Sequence, residues 1–495
     1  MTRQIPKHIL LAFLFGALVL VSCATATPTE TPTAEPDIVL SDCMLAMPGT
    51  VLRITAQCGT LDVFENRESN SGRQISLNIA VLPAISRSPQ PDPLFFLAGG
   101  PGQAATETYP LLARTFRDIN RDRDIVLVDQ RGTGSSNPLR CEFPADTPED
   151  ADLKPLLENC LDEIEAFAAP EHYTTEIAMQ DLDQVREKLG YDQINIYGVS
   201  YGTRAAFAYM RMFPERLRAV VLDGLAPPQL ALGLAVAADA QRSIDLIFAR
   251  CAANPACDEA FPNLEGTFNA LISALEAEPV TVSLPHPNTG ESTEFTLDAD
   301  GVAIAVRLMS YSPESVAMLP LLIHTAQVDG NFTPLAAQFL MTSSDLDTSI
   351  NNAMGYSVLC AEDEPFFTNV DSANANTYLG NLQTDSLKDV CDVWPHEPVP
   401  AAMKTPVSVD APVLLLSGEF DPVTPPAYGD LAAETLPNSL HLVAPESGHN
   451  VVTRGCLPNL VEQFVENASF AELDTACVAE IEPFPFFINF SGPVP

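Results

Sequence analysis

Residues 194–210 read INIYGVSYGTRAAFAYM. The apolar run INIYG meets a break at Gly198-Val199-Ser200-Tyr201-Gly202 and passes into a stretch with helical character. A strand that must turn sharply into a helix forces its turn residue into a strained backbone. Glycines two positions away on each side leave room for neighbouring elements to approach. The hydroxyl of Ser200 is then presented at the C-terminal edge of a sheet, beside a helix N-terminus. This stretch therefore predicts a strand, a tight turn carrying a nucleophile, and a helix.

Working outward, the same rhythm recurs from about residue 58. QISLNIAVLPA (74–84), PLFFLAG (93–99), DIVLVDQ (124–130), AVVLDG (219–224), PVLLLSG (412–418) and SLHLVAP (439–445) read as strands. Most are near-continuous apolar runs, as expected of strands covered on both faces. Helical stretches such as TTEIAMQDLDQVREKLG lie between several of them. Alternating strands and helices predict an α/β fold with a mostly parallel sheet and flanking helices. The alternation stops near residue 228 and resumes near 405. The intervening helical stretches, among them QLALGLAVAADAQRSIDLIFARC and GVAIAVRLMSYSPESVAMLPLLIHTAQ, predict a large, mainly helical lid inserted into the sheet domain.

A serine alone is a poor nucleophile, so Ser200 requires a base and an orienting acid further along the chain. Asp421 follows the strand 412–418, and His449, in Glu446-Ser447-Gly448-His449-Asn450, follows the strand 439–445. Glu419, at the end of the same strand as Asp421, is the alternative acid. Of the seven histidines, His8 falls in the N-terminal segment, His172, His286, His324 and His396 in helix, loop or insertion contexts, and His441 within a strand. Only His449 sits in a glycine-flanked loop directly after a strand. Acyl transfer also needs donors for a developing oxyanion. FFLAGGPGQ (95–103) offers the backbone of Gly99, Gly100 and Gly102, and the amide of Tyr201 supplies a second donor. VDQRGTGSS (128–136) lacks the G-K-S/T ending of a phosphate loop. Its Asp129 and Arg131 are expected to pair with each other and shape the turn.

The 495 residues carry 65 acidic and 25 basic side chains, a formal charge of −40. Such an excess repels nucleic acid and anionic lipid, and suits a solvated extracellular surface. Residues 1–22 have the pattern of an export signal, with Arg3 and Lys7 ahead of ILLAFLFGALVLV, shorter than the roughly 20 apolar residues of a comfortable membrane span. The segment ends Leu20-Val21-Ser22-Cys23. Residues 23–40, rich in Thr and Pro, read as an extended tether. Of eleven cysteines, Cys23 set aside leaves ten, with no C-x-x-C among them. Five disulfides in an oxidising compartment account for them better than a metal site. Near neighbours along the chain suggest the pairs Cys43–Cys58, Cys141–Cys160, Cys251–Cys257, Cys360–Cys391 and Cys456–Cys477.

The motifs CGTLDVFEN, LAGGPGQ, VDQRGTGSS, INIYGVSYGTRAAFAYMRMFPERLRAVVLDGLAPP, SGEFDPVTPP and SGHN, in this order, resemble the secreted α/β-hydrolases of the tripeptidyl aminopeptidase and prolyl aminopeptidase group. The cysteine-bearing tail from Gly455 resembles that of the tripeptidyl type. Leu20–Cys23 likewise resembles the lipobox of bacterial lipoproteins, which implies lipidation at Cys23. The resemblance implies a serine exopeptidase acting at peptide N-termini, with Ser200, Asp421 and His449 as triad, Gly100 and Tyr201 as oxyanion donors, and no metal or organic cofactor. In such enzymes acidic lid residues bind the substrate's free amino group, which points to Glu362 within LCAEDEPFF (359–367). Many relatives have His where this chain has Ala98. The expected organisation is a signal (1–22), a tether (23–40), a catalytic domain (41–227 and 406–495) and the insertion (228–405). The expected protein is exported, to the cell envelope or the extracellular space, as a membrane-anchored lipoprotein that meets the membrane through its N-terminal lipid alone. A carboxylesterase or lipase, or a surface binding protein that kept the fold without the chemistry, are the competing readings.

Overall fold

In the computed structural model, residues 38–143 and 153–493 are described. The expected signal, Cys23 and most of the tether lie outside them. The strands are β1 (Ser41–Ala46), β2 (Arg53–Phe64), β3 (Gln74–Leu82), β4 (Leu94–Leu97), β5 (Ile125–Val128), β6 (Ile194–Val199), β7 (Leu217–Asp223), β8 (Val280–Pro285), β9 (Ser292–Leu297), β10 (Val413–Gly418) and β11 (Ser439–Ala444). Nine of them form one sheet in the order β1-β2-β3-β5-β4-β6-β7-β10-β11. From β5 to β11 every neighbouring pair is parallel, and β1, β2 and β3 add an antiparallel edge.

Alternate side chains of each strand feed two separate layers. On β6, Ile194 and Ile196 pack with residues of helices Thr175–Lys188 and Tyr201–Met212. Tyr197 and Val199 pack on the opposite face with residues of helices Ala105–Leu112 and Leu457–Asn467. Every residue of β6 and β10 is buried, which is why both read as unbroken apolar runs. Strands β1 and β2 escaped the sequence reading, β1 for the opposite reason. Only Leu45 of β1 is buried, so an edge strand leaves almost no period-2 signal. Ile38 is 3 % exposed, so the folded body reaches into the last residues of the segment assigned to the tether.

Between β7 and β10 the insertion builds a core in which Ile244, Phe248, Leu271, Val306 and Leu322 are buried together with Phe420 and Phe486 from outside the insertion. It is mostly helical and also holds an antiparallel hairpin, β8 with β9, not foreseen from sequence. The helical stretch expected around 301–327 is three helices, Ala299–Met309, Pro313–Val316 and Leu319–Gln327. Pro313 and Pro320 explain the breaks, since proline cannot continue the hydrogen bonding of a preceding turn but suits the start of a new helix. Ser312 caps the second helix by accepting the N–H of Ser315. Ten cysteines form five disulfides, Cys43–Cys58, Cys141–Cys160, Cys251–Cys257, Cys360–Cys391 and Cys456–Cys477. Among the described residues, no helix is long and apolar enough to cross a membrane.

Candidate active site

Ser200 stands between β6 and the helix Tyr201–Met212 with φ 55° and ψ −124°, a conformation costly for a residue with a Cβ. The flanking glycines are there because no side chain would fit. A Cβ on Gly202 would lie 2.2 Å from the carbonyl of Leu97, and one on Gly198 would lie 2.5 Å from the carbonyl of Gly202. The turn is braced from within by Thr203, which donates from both N (2.9 Å) and Oγ1 (2.7 Å) to the Ser200 carbonyl. The Ser200 N–H donates to the Asp223 carbonyl at 2.9 Å.

Asp421 and His449 meet where β10 and β11 end. His449 Nδ1 lies 2.7 Å from Asp421 Oδ2, with the Asp421 side chain fully buried and that of His449 4 % exposed. The Asp421 carboxylate also accepts the N–H groups of Val423 and Thr424 and the hydroxyl of Thr424, each at 2.8 Å. Burial alone would raise this carboxyl, but His449 and the N–H groups of Thr424 and Val423 together hold it below the ordinary carboxylate range. An ionised Asp421 places the imidazole proton on Nδ1 and leaves Nε2 as the basic nitrogen. The imidazole lies against Gly224, where a Cβ would come within 3.0 Å of His449 Cε1. Gly224 directly follows the residue that holds the Ser200 N–H, so nucleophile turn and imidazole share one support. Glu419, the alternative acid, instead accepts the N–H of Glu446.

The glycine loop after β4 approaches Ser200 closely. A Cβ on Gly99 would sit 3.1 Å from Ser200 Cβ, and Gly100 and Gly102 follow with φ of 104° and 113°. Tyr201 is the first residue of its helix, so its N–H has no acceptor within that helix. Tyr201 directly follows Ser200 in the chain, and the glycine loop lies against the Ser200 side chain.

A family model described as "alpha/beta hydrolase fold" matches residues 92–268, spanning Ser200, and one described as "TAP-like protein" matches residues 376–477, spanning Asp421 and His449. The chain is 26 % identical over 494 residues to the serine protease Hip1 of Mycobacterium tuberculosis, covering 91 % of this chain and 93 % of that one. It is 27 % identical over 194 residues to the tripeptidyl aminopeptidase of Streptomyces lividans, covering 35 % of this chain and 36 % of that one. A crystal structure of proline iminopeptidase from Mycobacterium smegmatis aligns with 83 % of this chain and 98 % of its own, at 15 % identity and a TM-score of 0.42. The chain has the α/β-hydrolase fold and is similar to members of this peptidase group.

In this α/β-hydrolase, Glu362 ends the helix Asn352–Glu362 and is 7 % exposed. Its two oxygens accept the N–H (2.7 Å) and hydroxyl (2.8 Å) of Thr175, at the start of the helix Thr175–Lys188. Burial, then Asp363, pushes its carboxyl up to about 7. The chain of hydrogen bonds continues from Thr175 Oγ1 to the Tyr201 hydroxyl (2.8 Å), which accepts from Gln130 Nε2 (3.0 Å). The carboxylate expected to meet a substrate amine therefore already holds a helix start behind Tyr201.

The expected Asp129–Arg131 pair does not form. Asp129 accepts the N–H and hydroxyl of Thr106, both at 2.9 Å, and Asn78 Nδ2 at 2.8 Å. Arg131 makes a two-point ion pair with Asp181, from Nε (2.7 Å) and Nη2 (2.9 Å). Both residues are fully buried, so each needs partners of its own, and these come from different elements. Ala98 borders a small pocket together with Gln103, Gln130 and Arg131.

Two supporting residues were missed from sequence. Thr424 Oγ1 stands between Asp421 and His449, 3.1 Å from Nδ1. Asp223 is fully buried, and its carboxylate accepts the N–H groups of Val451 and Val452 and the hydroxyl of Tyr197, all at 2.9 Å. The available signal was a charged residue closing the apolar run AVVLD, since a buried charge must be paired or hydrogen-bonded.

Proposed function

We propose that the chain is an exported serine aminopeptidase, carried to the cell envelope by its signal and held there by a lipid on Cys23. The observation that carries the catalytic part is the buried Asp421 carboxylate 2.7 Å from His449 Nδ1, with the imidazole against Gly224, the residue after the one that accepts the N–H of Ser200 on its glycine-flanked strand-to-helix turn. In this reading Ser200 attacks the scissile carbonyl while His449 Nε2 takes its proton. Asp421 holds the imidazole orientation and stabilises the imidazolium. The oxyanion is received by the N–H groups of Gly100 and Tyr201, each worth about 2.7–4 kcal/mol in the transition state. The leaving amine takes the proton from His449, and water activated by the same imidazole releases the acyl group from Ser200.

Exopeptidase action requires an anion for the substrate's ammonium. Glu362 is already committed to Thr175, so Asp239 is the better candidate. It lies in the first turn of the insertion helix Val236–Ala253 and is held by the Tyr428 hydroxyl. Burial, opposed by the Tyr428 hydrogen bond and reinforced by nearby Asp421, pushes its carboxyl up to about 7. A carboxylate so poorly solvated gains from an incoming cation.

The test compares aminoacyl and tripeptidyl anilides with their N-acetylated forms. Cleavage that requires the free amine, is lost in Ser200→Ala with folding intact, and weakens through KM in Asp239→Asn supports the proposal. Ester hydrolysis indifferent to acetylation supports the esterase reading instead. Ser200 unlabelled by a fluorophosphonate supports the binding protein. Mass spectrometry of a digested peptide mixture then reads how many residues leave per cut.

A further inference from the structure

The insertion reaches each of the three loops that surround Ser200. On the base side, the carbonyl of Tyr311, at the break between helices Ala299–Met309 and Pro313–Val316, accepts the His449 N–H at 2.8 Å. Gly448 lies so close to this break that a Cβ would come within 2.4 Å of the Tyr311 carbonyl and 2.8 Å of that of Ser310. The Tyr311 and His449 rings meet edge to face, centroids 5.1 Å apart. On the acid side, Ser243 Oγ donates to the Phe420 carbonyl at 2.6 Å and Arg242 Nη2 to the Glu419 carbonyl at 2.7 Å, the two residues before Asp421. At the glycine loop, Asn351 donates to the Gly102 carbonyl from N (2.9 Å) and Nδ2 (3.0 Å).

We propose that the insertion is a positioning brace for catalysis, with Ser243, Tyr311 and Asn351 setting the loops of Asp421, His449 and the oxyanion donors. The proposal rests on the reading of Ser200, Asp421 and His449 as the triad. The loops of Asp421 and His449 also hold each other, through the Phe420 N–H on the Ser447 carbonyl (2.8 Å) and the Glu446 N–H on Glu419, and the insertion adds a contact to each of the three loops from outside the sheet domain. Ser243 is fully buried, so swinging the insertion away would strip its hydrogen bond and leave the Phe420 carbonyl without that donor. Displacing catalytic groups by about 1 Å is enough to cost on the order of 100-fold in rate. Ser243, Tyr311 and Asn351 act through the loops they hold, so they are positioning residues.

The experiment follows fluorophosphonate labelling of Ser200 together with kcat and KM, in the full chain, for Ser243→Ala, Gly448→Ala and Leu271→Ala. Leu271 is a fully buried residue of the core cluster that also takes in Phe420, and its side chain makes none of the hydrogen bonds to these loops. The expected result is that Ser243→Ala and Gly448→Ala label to the same final extent as the parent but about tenfold more slowly or worse, with kcat falling in step and KM nearly unchanged. Leu271→Ala should melt at lower temperature yet label at the parent rate per folded site. The brace is overturned if the first two variants label at the parent rate. It is equally overturned if they merely lose sites in proportion to unfolded protein, the remainder reacting normally. A parent protein whose Ser200 resists the probe altogether would sink the triad reading and the brace with it, an outcome distinct from the other two.

Discussion

The carbonyl of Asp223 accepts the Ser200 N–H at 2.9 Å. Through its side chain the same residue, at the end of β7, holds Val451 and Val452 just beyond His449, so one position registers the turn of the nucleophile against the loop of the base. Burial raises this carboxyl, and the N–H groups of Val451 and Val452 work against that rise. Asp223→Asn keeps the shape but replaces one accepting oxygen with an NH₂, leaving an N–H of the loop facing another donor. The expected cost is about 1–3 kcal/mol of stability. A fall of roughly 10- to 100-fold in kcat with little change in KM is expected with it. Thermal melts and steady-state kinetics on a free-amine anilide check both.

Gly202→Ala is expected to do more damage than its size suggests. The new methyl would stand 2.2 Å from the Leu97 carbonyl and 2.7 Å from that of Ala98, both backbone atoms of the strand end next to Ser200. Neither can rotate away, so the helix start must shift from β4. A loss of about 3 kcal/mol or more, the upper end for overpacking, should accompany near-complete loss of turnover. Soluble variant with the parent melting temperature and activity would contradict this account of the glycine pattern.

The strand-to-helix turn at Ser200 and the meeting of Asp421 with His449 were legible because each signal is local: a serine between spaced glycines, and polar residues just past apolar runs at strand ends. The sheet was legible where strands are buried on both faces and obscure at β1, where solvent faces most side chains. Asp223 was obscure because its partners lie 228 and 229 residues away. The Asp129–Arg131 pairing failed because closeness in sequence does not put two side chains on one side of the chain, and Asp181, fifty positions from Arg131, supplied the stronger geometry. The role expected of Glu362 could not be checked against Thr175 from sequence, since that contact spans 187 residues.

The disulfide Cys360–Cys391 closes a separation of 31 residues and ties the helix Asn352–Glu362 to the helix Leu382–Cys391. Chain-entropy arguments put a loop of this size at about 3–4 kcal/mol. Replacing both cysteines with serine should lower stability by that order. The pair Cys251–Cys257, separated by only 6 residues, should cost less when removed the same way. Denaturant midpoints under non-reducing conditions compare the two variants directly.

The pH dependence of stability carries a signature of Glu362. Its folded carboxyl, pushed up to about 7 chiefly by burial and then by Asp363, lies above the ordinary value of 4.5 that it regains on unfolding. Below 4.5 the group is protonated in both states and costs nothing. As pH rises from 4.5 toward 7 the unfolded chain ionises first, so stability drains across that window and levels off above it. At one pKa unit per 1.36 kcal/mol, the full loss approaches about 3 kcal/mol. Glu362→Gln removes the titration while its amide can still accept the Thr175 N–H and donate to the Thr175 hydroxyl. Asp239, also pushed up to about 7, titrates over a similar window in both proteins and cancels from the difference. The stability of Glu362→Gln relative to the parent should therefore climb between pH 4.5 and 7 and stay flat beyond. A difference that does not change across this window would mean that Glu362 ionises in the folded protein as readily as in the unfolded chain.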